Sequence, residues 1–187
     1  TQSQPLEPVV GLQVREAHLD TLALIARSEE RLGLHLATRH IARIRVHPTN
    51  PDIAYVGALG HAFGPNPERG VFKTIDGGES WLPVTDGQVP VGSVGALVVA
   101  DSDPNVVYLA TGSDGLRSNV STGRGVYRSP DAGKTWQFAG LYDVGQIGGV
   151  RVHPRDANTV WVAANGDAFK PSPSRGVYKS RDGGKNW

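Results

Sequence analysis

The chain has 187 residues, 39% of them hydrophobic, which allows a sizeable core in one or two domains. Lys and Arg (19) nearly balance Asp and Glu (18), leaving a net charge of +1, and no Lys/Arg run occurs, so neither nucleic acid nor an anionic membrane is indicated as a partner. With 0 Cys, disulfides and thiolate metal sites are excluded, while the redox compartment stays open.

Residues 1–38 differ from the rest of the chain. Val9, Val10 and Leu12 suit a short extended edge segment. Residues 15–38 read as a helix, because Leu19, Leu22, Ile25, Ala26, Leu32 and Leu36 recur at three- to four-residue steps with Arg and Glu on the other face. Gly33 weakens the last turn. This extension is expected to pack on the surface of the next unit, with a partner-binding helix as the alternative. The apolar run Leu22–Ala26 is far too short to span a bilayer, and residues 1–21 do not read as a signal peptide.

From residue 39 the chain repeats itself. Ile44–Val56 aligns with Leu97–Leu109 and Val150–Val162, and Arg69-Gly70-Val71, Arg124-Gly125-Val126 and Arg175-Gly176-Val177 come next in the three copies. Each copy then reaches an eight-residue box of the form Ser/Thr-x-Asp-x-Gly-x-x-Trp. The boxes are Thr74, Asp76, Gly78 and Trp81; Ser129, Asp131, Gly133 and Trp136; and Ser180, Asp182, Gly184 and Trp187. The box aspartates lie 55 residues (76 to 131) and 51 residues (131 to 182) apart, the length of one propeller blade. Three units are delimited at 39–91, 92–144 and 145–187, the last incomplete. Each reads as short strands rich in Val, Ile, Tyr and Trp, separated by Gly, Pro, Asn and Asp. First strands are expected at 41–47, 94–100 and 147–153, and second strands at 53–59, 106–111 and 159–164. Third strands fall at 70–75, 125–129 and 176–180, and fourth strands at 80–84 and 135–139. The fold class is all-β: three consecutive four-stranded blades, with a short N-terminal helical extension. The 24 glycines sit mostly at the turns of these units, which accounts for their excess without invoking disorder.

The box has a physical logic. Its Asp can accept hydrogen bonds from turn N–H groups, its Ser or Thr hydroxyl can close the turn, and its Gly supplies a positive φ. Its Trp carries a large apolar area into the packing. A single active site uses one general acid rather than three related by a repeat, so the box aspartates read as structural.

The three boxes and the surrounding phrases resemble the Asp-box, or bacterial neuraminidase repeat, family. That family includes sialidases, sortilin-type receptors, xyloglucan-cleaving glycosidases, photosystem II assembly-factor-like proteins and exported bacterial proteins, whose wording is nearest. The resemblance covers residues 39–187. It implies a β-propeller of about six or more blades, of which this chain supplies about half, with the boxes on the face opposite the ligand-binding funnel. It also implies a secreted, periplasmic or cell-surface location. Sialidases carry an Arg-Ile-Pro motif near their start; Arg43-Ile44-Arg45 lacks the Pro.

Function is then expected in the loops between second and third strands, 60–69, 112–124 and 165–175. Arg69, Arg124 and Arg175 occupy one repeat position and, if turned inward, would form a carboxylate-binding ring. Their recurrence in every unit equally suits a structural role. Arg117 and Asn165 complete the candidate ligand-binding set. Asp114, Asp167 and His61 are the candidate acid/base residues, dependent on proximity across blades. His47 and His153, each before a Pro, read as turn residues rather than metal ligands; no metal or cofactor is expected. Asn119-Val120-Ser121 matches a glycosylation sequon.

The leading functional reading is a non-catalytic binding or assembly propeller segment, recognising a glycan or protein partner alongside the remaining blades of a longer chain. The alternative is part of a sialidase- or xyloglucanase-like glycoside hydrolase whose catalytic residues lie partly elsewhere. A purely structural scaffold is the third reading.

Overall fold

The computed structural model describes residues 41–59, 68–90, 93–112, 121–167 and 169–187. The expected helix at 15–38, the edge segment before it, His61, Asp114, Arg117 and Asn119 lie outside these residues. Those described are all-β and form three antiparallel sheets, the arrangement of a partial β-propeller. The first blade contains β1 (Ile41–Val46), β2 (Ala54–Ala58), β3 (Gly70–Thr74) and β4 (Leu82–Pro83). The second contains β5 (Val94–Ala100), β6 (Asp103–Thr111), β7 (Val126–Ser129) and β8 (Gln137–Phe138). The third contains β9 (Gln146–His153), β10 (Asp156–Gly166) and β11 (Gly176–Ser180). Strands within each blade pair in chain order, as successive hairpins.

All eleven strands fall where the repeats place them, with shifted ends. The outermost strands β4 and β8 shrink to two residues each. In the other direction, β6 and β10 start at Asp103 and Asp156, because tight turns let Ala100 pair with Asp103 and His153 with Asp156.

Blades pack face to face. One core cluster joins the first two blades through Tyr55, Val71, Leu97, Val107, Leu109 and Trp136. A second joins the last two through Tyr108, Val126, Ile147, Val150, Val160 and Val162. Sandwiched between its neighbours, β5 is buried along nearly its whole length and shows no alternation, whereas β10 alternates because the described residues cover only one of its faces. On the other face Val177 is 74% exposed. Innermost strands approach so closely that a Cβ at Gly95 would collide with the Ile147 carbonyl oxygen, so glycine is required there.

The box Trp does more than fill its own unit. Trp136 lies on the face that looks toward the first blade, and its indole N–H donates to the Val84 carbonyl at 2.7 Å. Trp187 repeats this one blade later, donating to the Ala139 carbonyl at 2.7 Å. Tyrosines complete the stitching: the Tyr55 hydroxyl donates to the Ala132 carbonyl (3.1 Å) and Tyr108 to the Ala157 carbonyl (2.8 Å). Burial pushes the Tyr55 phenol up to about 12, so it remains a donor at any physiological pH.

Candidate functional site

Chain direction divides each blade into two ends. At one end lie the boxes and the turns between first and second strands, joined by backbone bonds: Gly77 to Asp52, Ala132 to Asn105 and Gly183 to Asn158. At the other end lie the connections between second and third strands and the connection between the second and third blades, while that between the first and second also reaches the second box through Gln88.

The box end is built three times on one plan. The Ser129 hydroxyl donates to Asp131 Oδ1 (2.8 Å) and accepts from the buried Gly133 N–H (2.7 Å). Asp131 also accepts from the Thr135 N–H (2.8 Å) and hydroxyl (2.7 Å). Thr74, Asp76, Gly78 and Ser80 reproduce the pattern, as do Ser180, Asp182, Gly184 and Asn186. The three glycines have φ of 94°, 90° and 95°. The arrangement corrects one detail of the sequence reading. The buried turn N–H is satisfied by the Ser or Thr hydroxyl, while the Asp serves a solvent-exposed N–H and orients that hydroxyl. Ser80, Thr135 and Asn186, each immediately before the Trp, were overlooked as functional members of the box; their signal was a donor side chain at that place in every copy.

These bonds hold the box carboxylates ionised. The Ser80 hydroxyl chiefly, with the Ser80 N–H and Thr74, brings Asp76 down to about 2. Asn186, through its side-chain amide and then its N–H, brings Asp182 to about 2. At Asp131 burial opposes the change, but Thr135 and Ser129 outweigh it and the carboxyl sits below its ordinary value. None is poised as a general acid near neutrality.

The opposite end carries an open cleft of about 940 Å³ between the second and third blades, whose lining includes Arg124, Tyr142, Asp143, Asp167, Phe169 and Lys170. Its walls are set by local chemistry. The Thr111 hydroxyl donates to the Gly125 carbonyl and accepts from the Arg124 N–H (2.7 Å), fixing the base of one loop. Arg124 reaches the Tyr142 hydroxyl at 2.6 Å and lies over that ring. Leu141, just before it, adopts a left-handed φ of 60°, which turns the chain between the blades at a cost of roughly 1–2 kcal/mol. On the facing wall, Asp167 accepts the Phe169 N–H (2.9 Å) and lies 3.5 Å from Lys170 Nζ. The Phe169 N–H and, after the opposing effect of desolvation, the charge of Lys170 leave the Asp167 carboxyl below its usual range. Phe169 itself is 76% exposed.

The structure thus brings together Arg124 and Asp167 of the expected set. Arg175 is engaged elsewhere: its guanidinium donates to the carbonyls of Asn165, Asp167 and Lys170, tying its own loop. The Asn165 side chain lies against Gly148 of β9, away from the cleft lining. Arg69 belongs to the first blade and does not line this cleft. Tyr142, Asp143 and Phe169 were not singled out by sequence reasoning. Tyr142 and Asp143 lie in the inter-blade connection, outside the loops on which attention fell, and an aromatic in a loop is ambiguous without knowing its exposure. His47 and His153 are turn residues: His47 Nδ1 accepts the Asn50 N–H (3.1 Å) and His153 Nδ1 the Arg155 N–H (3.2 Å). Among the described residues no group of three or more His, Asp or Glu is placed to hold a metal ion. Nor is any helix among them long and apolar enough to cross a membrane. Along the innermost strands, burial and the charges of Arg151 and Arg43 lower the Arg45 guanidinium from its ordinary value, marking a cationic strip that the sequence reading had also missed.

No family model and no curated protein matches the chain. Solved structures do. The GH74 enzyme of Niastella koreensis aligns with a TM-score of 0.55 and 23% identity, over 79% of this chain and 22% of that one. An ancestral GH74 enzyme aligns at 0.57 and 23%, over 81% and 18%. The GH74 xyloglucanase of Xanthomonas campestris aligns at 0.56 and 22%, over 79% and 20%. The chain therefore spans about a fifth of the length of these enzymes, and at such identities the likeness speaks to the fold.

Proposed function

We propose that this chain is a set of blades from an exported, glycoside-hydrolase-type propeller, and that its cleft binds a saccharide while the catalytic carboxylate pair lies partly on other blades. The reading replaces a purely non-catalytic role with a binding role inside a hydrolase architecture; the likeness to GH74 enzymes supports it. The observation that carries it is the pairing of the exposed Phe169 ring with Asp167, Lys170, Arg124 and the Tyr142 hydroxyl in one cleft. A sugar ring presents an apolar C–H face and an equatorial belt of hydroxyls. An aromatic plate flanked by ionised and hydroxyl groups meets both. Asp167 is suited to accept hydroxyl hydrogen bonds as a carboxylate, and its lowered value argues against a proton-donating role.

Calorimetric titration with xyloglucan oligosaccharides tests this. Binding should weaken about tenfold in Phe169→Ala, about 1.4 kcal/mol, and the chain alone should hydrolyse no glycoside, because a propeller site is completed on the axis by several blades. Failure to bind any neutral oligosaccharide would remove the saccharide reading. Turnover abolished by Asp167→Ala would instead make this segment itself the catalyst.

A further inference from the structure

The two blade junctions at the box end share one plan but finish differently. In the first, Lys73 lies over the Tyr55 ring and donates to the Ala132 carbonyl at 2.9 Å. Gln88 then closes the gap, donating to the Lys134 carbonyl and accepting the Trp136 N–H. In the second junction Arg128 takes the place of Lys73 and lies over the Tyr108 ring. One terminal nitrogen reaches Asn158 Oδ1 at 3.4 Å and the guanidinium also bonds the Tyr108 side chain, but its buried Nε makes no hydrogen bond. A cleft of about 430 Å³ remains there, with Arg128, Asn158, Arg181, Asp182, Gly183 and Lys185 in its lining.

We infer that this second junction is a binding site for a dianionic oxyanion, a sulfate or phosphate group. Three cations and one carboxylate line the cleft, a local charge of +2 (three minus one). Asp182 supplies the one opposing charge, but its oxygens are bonded to Ser180 and to the backbone and side chain of Asn186 rather than to any of the three cations. A buried guanidinium N–H without an acceptor is costly, and an oxyanion supplies the missing acceptor with a charge-assisted bond. Local sequence makes room for it. Gly183 stands where the second box has Ala132, and a Cβ there would press within 3.3 Å of Arg128 Nε. Arg181 stands where that box has Pro130 and the first has Ile75. The cleft lies toward the opposite end of the blades from the proposed saccharide site and shares no lining residue with it.

The test is calorimetric titration of the full chain with inorganic phosphate, ionic strength being held with chloride. We expect 1:1 binding that weakens about tenfold or more in Arg128→Met and severalfold in Arg181→Ser, as the loss of charge-assisted bonds requires. Lys134→Ser, which removes an exposed cation beside the second box, should leave it unchanged. Arg181 is exposed, so its variant carries the test even if Arg128→Met fails to fold. A second titration with glucose 6-phosphate distinguishes sources: tighter binding than the free ion assigns an ester, equal or weaker binding assigns the ion itself. No binding above chloride, or equal weakening in Lys134→Ser and Arg181→Ser, would overturn the site.

Discussion

Replacing Trp136 by Ala tests the claim that the box Trp binds blades to each other. Its ring is 8% exposed and packs in the cluster that includes Tyr55 and Val71 of the first blade and Leu97, Leu109 and Tyr127 of the second. An indole buries about 150–250 Å², worth roughly 4–6 kcal/mol at about 25 cal/mol per Å². That is an upper bound, because the unfolded chain already hides some of this surface. Loss of the bond to the Val84 carbonyl adds roughly 0.5–1.5 kcal/mol, and relaxation of the cavity returns part of the total. The expected cost is about 3–5 kcal/mol, a large share of the roughly 5–15 kcal/mol that stabilises a typical domain. Urea unfolding by fluorescence and circular dichroism gives the total. Hydrogen exchange gives its location: protection should fall in β2 and β3 as well as in β6 and β7, since the ring bridges both blades. A midpoint change worth less than about 1 kcal/mol, or exchange confined to the second blade, would refute the inter-blade role.

Ser129→Ala should cost about 1–3 kcal/mol in the same assay, because it leaves the buried Gly133 N–H unsatisfied; Asp131→Ala should cost less, since the N–H it serves is exposed to water. Ala132→Gly should stabilise by roughly 0.5–1 kcal/mol, because Ala132 holds a left-handed φ of 59° where both other boxes have Gly. Stability should be level from pH 7 down to about pH 4 and then fall toward pH 2, where Asp76 and Asp182 titrate in the folded state. The sign is set by their lowered values: the contribution is present above the unfolded pKa and lost as pH drops through the folded one. A thermal midpoint that rises on acidification would contradict the box hydrogen bonds.

How much was legible in the sequence depended on whether a feature recurs. Strands could be placed because Ile44–Val56 and its two copies share one pattern, so an ambiguous run in one unit was settled by another. The period-2 signal would have failed alone for β5, which is apolar on both faces because a blade covers each side. Blade-to-blade bonds were invisible: nothing local in Trp136 or Tyr55 says that its polar tip reaches a carbonyl 52 or 77 residues away. The cleft was half legible. Arg124 and Asp167 stood out as charged loop residues, but Tyr142 and Phe169 acquire meaning only once exposure and blade packing are known.

The repeat also supplies an internal control that one domain of unique sequence would lack. A residue that holds the same bond in every copy, such as the box Asp, answers to the demands of the blade. A residue that breaks the pattern while its neighbours keep it has been released from those demands. Arg175 looks like a member of a functional series with Arg124, yet its donors close its own loop, whereas Arg124 faces the cleft and Tyr142. The equivalence of position therefore conceals a difference of role. At the box end the same reasoning runs in reverse. Lys73 and Arg128 share a place and a ring beneath them, and only the second is left with an unmatched donor and an open cleft. Uniform bonding builds the scaffold, and departures from it at Arg124, Arg128 and Arg181 mark where the scaffold is free to bind something else.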